Sequence, residues 1–141
     1  MNIALVFPPF YLEAMYNMPP LGLVNLATVL KDTAHAVKIF DFPLEIRRKT
    51  LPLGKEIYRE CARQILEFQP DLAGFSVQCT TYPPALRIAE ELKRLSPDIS
   101  IIFGGHNASF IDEATLGRFP FIDAVVRGEG EITFPELIRG I

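Results

Sequence analysis

The sequence predicts a doubly wound α/β fold, in which a five-stranded parallel sheet carries helices on both faces. Five short apolar runs recur along the chain, and they lack the polar alternation of strands that face water on one side. Stretches with helical periodicity lie between them, and this alternation is typical of parallel crossovers. The 141 residues, of which 49% are hydrophobic, are enough for one compact core. We therefore expect one domain with strand order 2-1-3-4-5.

Each element is predicted from its own pattern. The apolar runs place strands at residues 3–7, 36–41, 71–77, 99–103 and 121–126. Apolar residues three or four positions apart predict helices at 21–31, 55–68 and 84–95. A weaker helical segment, 109–119, follows the fourth strand, and a last helix begins at Glu131 and reaches Ile141. Right-handed crossovers between the strands then place helices on both faces of the sheet.

Composition and charge exclude several classes of protein. The net charge of −3 leaves no cationic surplus to neutralise phosphates, so we expect no nucleic-acid partner. Two cysteines, Cys61 and Cys79, cannot make a disulfide framework or a zinc site and are typical of a reduced compartment. The chain begins without the basic stretch and cleavage site of a signal peptide, and no apolar run approaches the ~18 residues of a membrane span. We therefore expect a cytoplasmic protein.

Ligands of doubly wound sheets bind at the carboxyl ends of the strands, where the winding direction reverses. After the first strand, a long apolar loop begins with Pro8 and Pro9 and ends where Leu21 and Gly22 open the next helix. Ordinary loops of this kind have ~2 to 6 residues. The longer loop indicates a lid or binding wall, or else a hydrophobic loop folded onto its own domain or a neighbour.

The loops after the third and fourth strands hold small and polar residues. Ser76, Gln78 and Thr80 lie where the next helix begins, so they suit a polar ligand, although Thr80 or Thr81 also suits a helix cap. Gly104 and Gly105 let a backbone approach a bulky ligand, although such pairs are also typical of tight turns.

The sequence lacks the motifs of several common sites of this fold. The turn at 128–131 contains G-x-G, but it follows the last strand and lacks the third glycine of a dinucleotide fingerprint. The strand ends lack the acidic residues that a phosphoacceptor receiver domain needs. An FMN phosphate loop is excluded as well, because Pro8 and Pro9 cannot donate backbone hydrogen bonds to a phosphate. No nucleophile and base pair is recognisable, because His106 is the one histidine at the ligand edge and Cys79 lacks a partner. Both also fit ordinary roles, a solvent-facing loop residue and a packing residue.

Five segments together carry a resemblance to a known family. They are residues 20–23, 37–41, 70–76, 101–105 and 123–131, which read PLGL, VKIFD, PDLAGFS, IIFGG and DAVVRGEGE. With them the chain resembles, along nearly its whole length, the amino-terminal cobalamin-binding domain of radical S-adenosylmethionine enzymes. The resemblance implies a flavodoxin-like or Rossmann-like fold with cobalamin across the carboxyl end of the sheet.

The same resemblance implies a longer enzyme. In that family a following barrel carries a C-x-x-x-C-x-x-C motif, which binds an iron–sulfur cluster and S-adenosylmethionine. Neither the motif nor a barrel occurs in residues 1–141. We therefore expect 1–141 to be the N-terminal cobalamin-binding-like domain of such an enzyme, with no catalytic residue of its own.

The resemblance also implies where the corrin and its nucleotide tail lie. The candidate cofactor-binding residues are Pro8, Pro9, Leu21, Gly22, Ser76, Val77, Gln78, Cys79, Thr80, Gly104, Gly105, His106, Gly128, Glu129, Gly130 and Glu131. Cobalamin domains of the methionine synthase and mutase kind carry D-x-H-x-x-G after the first strand, and its histidine replaces the base beneath cobalt. Pro8 and Pro9 stand there instead, so we expect protein groups or water beneath cobalt, with His106 as the alternative metal ligand.

Two functional hypotheses from different classes follow. In the first, the domain holds methylcobalamin, and the parent enzyme, a methyltransferase-like protein, uses it for methyl transfer to a small-molecule or lipid-like substrate, or for a rearrangement. In the second, the domain is a degenerate structural module that binds no cobalamin and docks the barrel or the substrate through the apolar residues 7–11 and 82–84. A free-standing enzyme is a third hypothesis, which no catalytic constellation supports.

Overall fold

The computed structural model describes residues 1–10 and 18–140 of the chain. Within these residues five parallel strands form one sheet in the order β2-β1-β3-β4-β5, so the predicted fold class and strand order are confirmed. The strands are β1 (Asn2–Phe7), β2 (Ala36–Asp41), β3 (Leu72–Ser76), β4 (Ser100–Gly104) and β5 (Ala124–Val125). Across the centre of the sheet, Leu5 pairs with Gly74, and Gly74 pairs with Ile102.

Helices cover both faces of this sheet, as predicted. In the described residues they are α1 (Leu21–Val29), α2 (Phe42–Arg47), α3 (Ile57–Glu67), α4 (Tyr82–Leu95), α5 (His106–Phe110), α6 (Asp112–Arg118) and α7 (Gly130–Arg139). Buried residues of α2, α3 and α4 share one hydrophobic core, and those of α1 and α7 share the other. We refer to the two sides as the α3/α4 face and the α1/α7 face.

The central strands lack an alternation of polar and apolar residues because both of their faces are buried. On β4, Ile101 and Phe103 pack in the core of the α3/α4 face, whereas Ile102 packs in the core of the α1/α7 face. Successive side chains of a strand point to opposite faces. A strand with a helical layer on each side therefore needs apolar residues at every position.

The edge strands correct the prediction that all five strands are buried on both faces. Residues of β2 alternate between exposed and half-buried as far as Ile39, and Phe40 is its one buried residue. The reason is that β2 pairs with a single neighbour, β1, at the edge of the sheet. The ammonium group of Lys38 lies 4.7 Å from the ring of Phe40 and covers it from solvent. At the other edge, β5 has two residues instead of the predicted six, 121–126.

Two helical features differ from the prediction. The helix α2 was not predicted, although Asp41 and Pro43 are typical of a helix start: Oδ1 of Asp41 accepts a hydrogen bond from the Leu44 N–H at 3.0 Å, and proline fits the first turn. The weak segment 109–119 forms two short helices, α5 and α6. They are separated at Ile111, whose φ of −128° is not helical.

The apolar segments expected to dock a partner pack within the domain. Phe7 and Phe10 are 7% and 4% exposed, and their rings lie 5.6 Å apart, so residues 7–10 fold onto their own core. Residues 82–84 are the first turn of α4, where the Tyr82 hydroxyl hydrogen-bonds the Thr115 hydroxyl at 2.9 Å. The proposed docking segment 7–11 is therefore wrong for residues 7–10, which are buried, whereas in 82–84 Pro83 remains exposed. The rest of the long loop, 11–17, lies outside the described residues.

Across residues 1–10 and 18–140, none of the helices has the length and apolar character required to cross a membrane.

Candidate ligand groove

A groove of about 400 Å³ opens at the carboxyl ends of the central strands on the α1/α7 face. Its floor comes from β1, β3 and β4, and its walls come from α1 and α7. This is the place where doubly wound sheets bind ligands. The location of the predicted ligand edge therefore coincides with a cavity of this fold.

The groove exists because the strands carry little side-chain bulk where they end. Gly74, Ser76 and Gly104 line it, and they share the face to which Leu72 and Ile102 point. Their neighbours on the opposite face are large: Phe75 and Phe103 pack with ring centroids 5.4 Å apart. A Cβ at Gly104 would have its nearest neighbour, Val126, at 3.8 Å, so a side chain there would have room to enter the groove.

The interior of the groove is apolar. Side chains from β1, β4, the residue after β5 and both wall helices contribute to it: Leu5, Leu23, Leu26, Ile102, Val126 and Phe134. All except Leu26 are buried. The ring of Phe134 lies over Gly74, where a Cβ would meet its carbons at 3.4 Å. This interior favours an aromatic or aliphatic group over a charged one.

The polar lining residues lie in or beside the loops that form the mouth. These are Ser76, His106, Ser109, Glu129 and Glu131. Ser109 joins two of these loops, because its hydroxyl donates to the Gly105 carbonyl at 3.2 Å and accepts from the Gly128 N–H at 3.0 Å. The mouth is thus built by the β4–α5 loop and the loop before α7 together.

Two residues at the mouth have a positive φ, which favours glycine. Gly105 has φ of +97°, and a Cβ there would lie 3.0 Å from the Val77 carbonyl oxygen. Val77 and Gly104 are joined by a hydrogen bond of 2.8 Å from the Val77 N–H to the Gly104 carbonyl, which holds the loops after β3 and β4 together. Gly128 has φ of +67°. Both glycines therefore have a backbone conformation that other residues rarely adopt, and both line the groove.

The electrostatics of the mouth are unfavourable for an anion. Of the described lining residues, two are carboxylates and none is lysine or arginine. The nearby guanidinium of Arg127 pairs with Asp112 at 3.4 Å. A free phosphate would therefore meet negative charge without a fixed cation. The described lining therefore offers no fixed cation to an anionic group.

Nine of the sixteen predicted residues line the groove, and the other seven lie outside its lining. Those in the lining are Gly22, Ser76, Gly104, Gly105, His106, Gly128, Glu129, Gly130 and Glu131. Of the rest, Pro8 and Pro9 are buried beside β1, and Leu21 is an exposed neighbour of Gly22. Val77 is buried on the α3/α4 face, and Gln78, Cys79 and Thr80 are exposed on the β3–α4 loop.

The sequence did not indicate ten of the lining residues, among them every apolar side chain of the interior. The lining residues that were not predicted are Leu5, Leu23, Leu26, Gly74, Phe75, Ile102, Ser109, Phe110, Val126 and Phe134. Strand alternation was a usable signal for some of them, because Leu5, Gly74 and Ile102 pair across the sheet at one register position. Phe134 had no such signal, since its place depends on how α7 packs.

Cobalamin fits the groove in its chemistry. A slender aromatic tail suits the apolar interior, and the glycine backbone at Gly104 and Gly105 leaves space for a bulky ring system above it. For the metal, the described residues contain no cluster of three or more histidine, cysteine or carboxylate groups. Cys79 lies away from the lining, with its thiol 3.5 Å from Oδ1 of Asn107.

Fold and groove together define a doubly wound domain with a groove at the carboxyl ends of its strands. The B12 binding domain family matches residues 10–138, so the chain belongs to that family. An uncharacterized methyltransferase of Pyrococcus horikoshii is 34% identical over 147 residues, with 100% of this chain and 29% of the relative covered. An anaerobic magnesium-protoporphyrin IX monomethyl ester cyclase of Rubrivivax gelatinosus is 30% identical, with 100% and 24% covered.

A hopanoid C-3 methylase of Methylococcus capsulatus is 28% identical over 134 residues, with 94% of this chain and 24% of the relative covered. The chain thus spans about a quarter of the length of these curated relatives.

Proposed function

We propose that this chain is the cobalamin-binding domain of a longer methyltransferase-like radical S-adenosylmethionine enzyme. The observation that carries the proposal is the groove: a B12-family domain has an apolar opening of about 400 Å³ at the carboxyl ends of β1, β3 and β4. In this proposal residues 1–141 are the N-terminal part, and a barrel of the same protein holds the iron–sulfur cluster and S-adenosylmethionine.

We assign the groove to the base and sugar of the nucleotide tail of cobalamin, because its size and apolar interior suit them. The phosphate of the tail would stay outside this lining, which holds no lysine or arginine in the described residues. Its 400 Å³ lies at the small end of ligand pockets, which span ~300 to 1,000 Å³. A single aromatic base with its sugar suits such a volume, and the macrocycle with its side arms does not. The corrin would then lie over the mouth, against the backbone of Gly104, Gly105 and Gly128.

Residues at the mouth would hold the carboxamide arms of the corrin. The carboxylates of Glu129 and Glu131 accept hydrogen bonds from amide N–H groups, and the hydroxyl of Ser76 both donates and accepts. The absence of lysine and arginine from the described lining is consistent with a corrin ring that carries no free acid arms. Bound cobalamin would supply methyl-transfer or rearrangement chemistry, and the residues of this chain would position it.

A binding experiment on the full-length protein tests the proposal. The protein is mixed with hydroxocobalamin, desalted and examined for corrin absorbance. We expect the wild type to retain the corrin and Gly104→Val to lose at least ~tenfold in affinity, since the valine side chain would extend past its 3.8 Å contact with Val126 into the groove.

Ser100→Val is the matched control, because Ser100 lies on the same strand and the same face at the opposite end. It should retain the corrin as the wild type does. If the wild type retains no corrin absorbance, the proposal is wrong.

A second candidate function is favoured by exposed apolar residues around the mouth. Leu21, Phe110 and Ile132 are 64%, 79% and 71% exposed, and each is a lining residue or adjacent to one. Such a rim is typical of an interface. A structural module that docks a further domain through this rim, without binding cobalamin, predicts no corrin retention and a loss of that contact in Phe110→Ser.

A further inference from the structure

We propose that the groove selects among corrinoids by their lower base, and that it accepts a methylated benzimidazole in preference to a purine. This inference rests on the proposed function. It concerns a property of the groove interior that binding of cobalamin alone does not require: the interior offers a base contacts with hydrocarbon and no hydrogen-bonding partner.

The side chains of the interior are all apolar. Leu5 and Ile102 form the floor, Leu23 and Phe134 come from the two wall helices, and Val126 closes the side next to β5. Each of these five is at most 5% exposed. The polar lining residues that the structure describes belong to the mouth: Ser76 ends β3, Ser109 lies in the short helix α5, and Glu131 lies in the first turn of α7.

The backbone of the floor is already used by the sheet. Gly74 exposes its backbone to the groove, but it is an interior residue of β3 and pairs with Leu5 on one side and Ile102 on the other. The Gly104 carbonyl accepts from the Val77 N–H at 2.8 Å, and the Val126 N–H donates to the Phe103 carbonyl at 2.8 Å. A base in the interior therefore finds these donors and acceptors occupied.

The two kinds of base differ in what they would bury. Outside its link to the sugar, dimethylbenzimidazole has one free ring nitrogen and two methyl groups. Adenine has two further ring nitrogens and an amino group in place of the methyl groups. Buried polar groups without partners weaken binding, and buried methyl groups strengthen it. Each unpaired group of this kind is enough for about a tenfold preference.

Phe134 limits how the interior can adapt. Its ring lies against the backbone of Gly74, where even a Cβ would meet the ring carbons at 3.4 Å. The helix that carries it is held to α1 by close packing: a Cβ at Gly130 would meet Cδ2 of Leu26 at 3.3 Å. The walls therefore have little freedom to rearrange so that a polar group reaches a purine.

The test compares three corrinoids on the full-length protein: cobalamin, the corrinoid that carries adenine as its lower base, and cobinamide, which has no nucleotide. Dissociation constants are measured by equilibrium dialysis with detection of corrin absorbance. We expect cobalamin to bind at least ~tenfold more tightly than the adenine form. Cobinamide should bind more weakly than cobalamin, because it leaves the groove without an occupant.

A pair of valine variants locates the preference. Val126→Thr places a hydroxyl in the groove at nearly constant volume and should reduce the preference for cobalamin over the adenine form at least threefold. Val125→Thr makes the same change at the next residue, which packs on the α3/α4 face, and should leave the preference unchanged. Thermal unfolding followed by circular dichroism verifies that both variants are folded.

Each outcome decides between the two proposals. Equal affinity for all three corrinoids, or for cobalamin and the adenine form, overturns the selection of the base and leaves cobalamin binding intact. A preference that both valine variants reduce equally overturns the assignment to the groove interior. If the wild type binds none of the three, the proposed function itself is wrong, and this inference falls with it.

Discussion

The two faces of the sheet have the same kind of helical cover and differ in what the strands present to it. On the α3/α4 face the ends of β3 and β4 carry Phe75 and Phe103, which are 2% and 0% exposed. One residue away on the α1/α7 face, the same strands carry Gly74 and Gly104, and a groove of about 400 Å³ results.

The difference shows how one sheet can serve both stability and binding. Successive residues of a strand point to opposite faces and can therefore serve different purposes. The α3/α4 face can be densely packed, while the α1/α7 face carries small residues at the strand ends. The wall helix α1 carries no charged residue, and its side chains meet α7 through apolar contacts such as that of Leu26 with Gly130. Because Phe75 and Phe103 fill the strand ends of the α3/α4 face, whereas the α1/α7 face contains the groove, we expect the helices of the α3/α4 face to separate from the sheet less readily.

The largest expected effect concerns the two cysteines. Cys61 on α3 is fully buried in the α3/α4 core, and burial raises the pKa of its thiol, whereas Cys79 is exposed on the β3–α4 loop. With a chromogenic disulfide reagent, we expect Cys79 to react at least ~10³-fold faster than Cys61, which must await opening of the core.

The Cys79→Ser variant is the control, and its fast reaction with the reagent should be absent under native conditions. Addition of denaturant should restore reaction at Cys61. Similar rates at both thiols in the native protein would show that the α3/α4 face opens readily, which contradicts the comparison of the faces.

A matched pair of isoleucines measures the two faces directly. Ile101 and Ile102 are neighbours on β4, and they are 0% and 2% exposed on opposite faces. Alanine at such sites lowers the free energy of unfolding by about 2–5 kcal/mol, more where a closed cavity remains. We expect Ile101→Ala to lie at the upper end, and Ile102→Ala to cost at least ~1 kcal/mol less, because it enlarges an existing groove.

Urea denaturation followed by circular dichroism gives both values from the same transition. An equal loss of unfolding free energy in the two variants would mean that the α1/α7 face packs as tightly as the α3/α4 face. A larger loss for Ile102→Ala would reverse the comparison.

Periodicity in the sequence was enough to predict the layered fold, because buried parallel strands and amphipathic helices have distinct patterns. The exposed alternation of β2 was present in residues 36–39, but its position at the sheet edge depends on which strands pair. The helix α2 was missed although Asp41 and Pro43 marked its start, because its six residues are too few for a periodic pattern.

For the candidate site, the sequence could indicate the loops and not the interior. Gly104 and Gly105 were recognisable because glycine has a special backbone role, and they do lie at the groove. Phe134 resembles any core residue of an amphipathic helix, and only the packing of α7 over Gly74 brings it to the groove. Gln78 and Thr80 follow a central strand as predicted, yet their loop leads away from the lining.

The smallest expected effect concerns the ion pairs that link α3 to α4 on the α3/α4 face. Glu91 on α4 accepts hydrogen bonds from Arg94 at 2.7 Å and from Arg59 on α3 at 3.1 Å. Hydrogen bonds from Arg94, and then from Arg59, lower the pKa of Glu91 from 4.5 to about 2. Because the pKa is lower in the folded state, the link stabilises fully above pH 4.5 and is lost as the pH falls through about 2.

We therefore expect Glu91→Gln to lower the free energy of unfolding by less than ~1 kcal/mol at neutral pH, since surface ion pairs contribute little. The difference from the wild type should vanish as the pH falls towards 2. Glu90→Gln is the control, because its pair with Arg87 spans 4.0 Å and stays on one helix. A deficit in Glu91→Gln that persists undiminished at low pH would show that the carboxylate charge is not what links α3 to α4. The greater resistance of the α3/α4 face would then rest on its apolar packing alone.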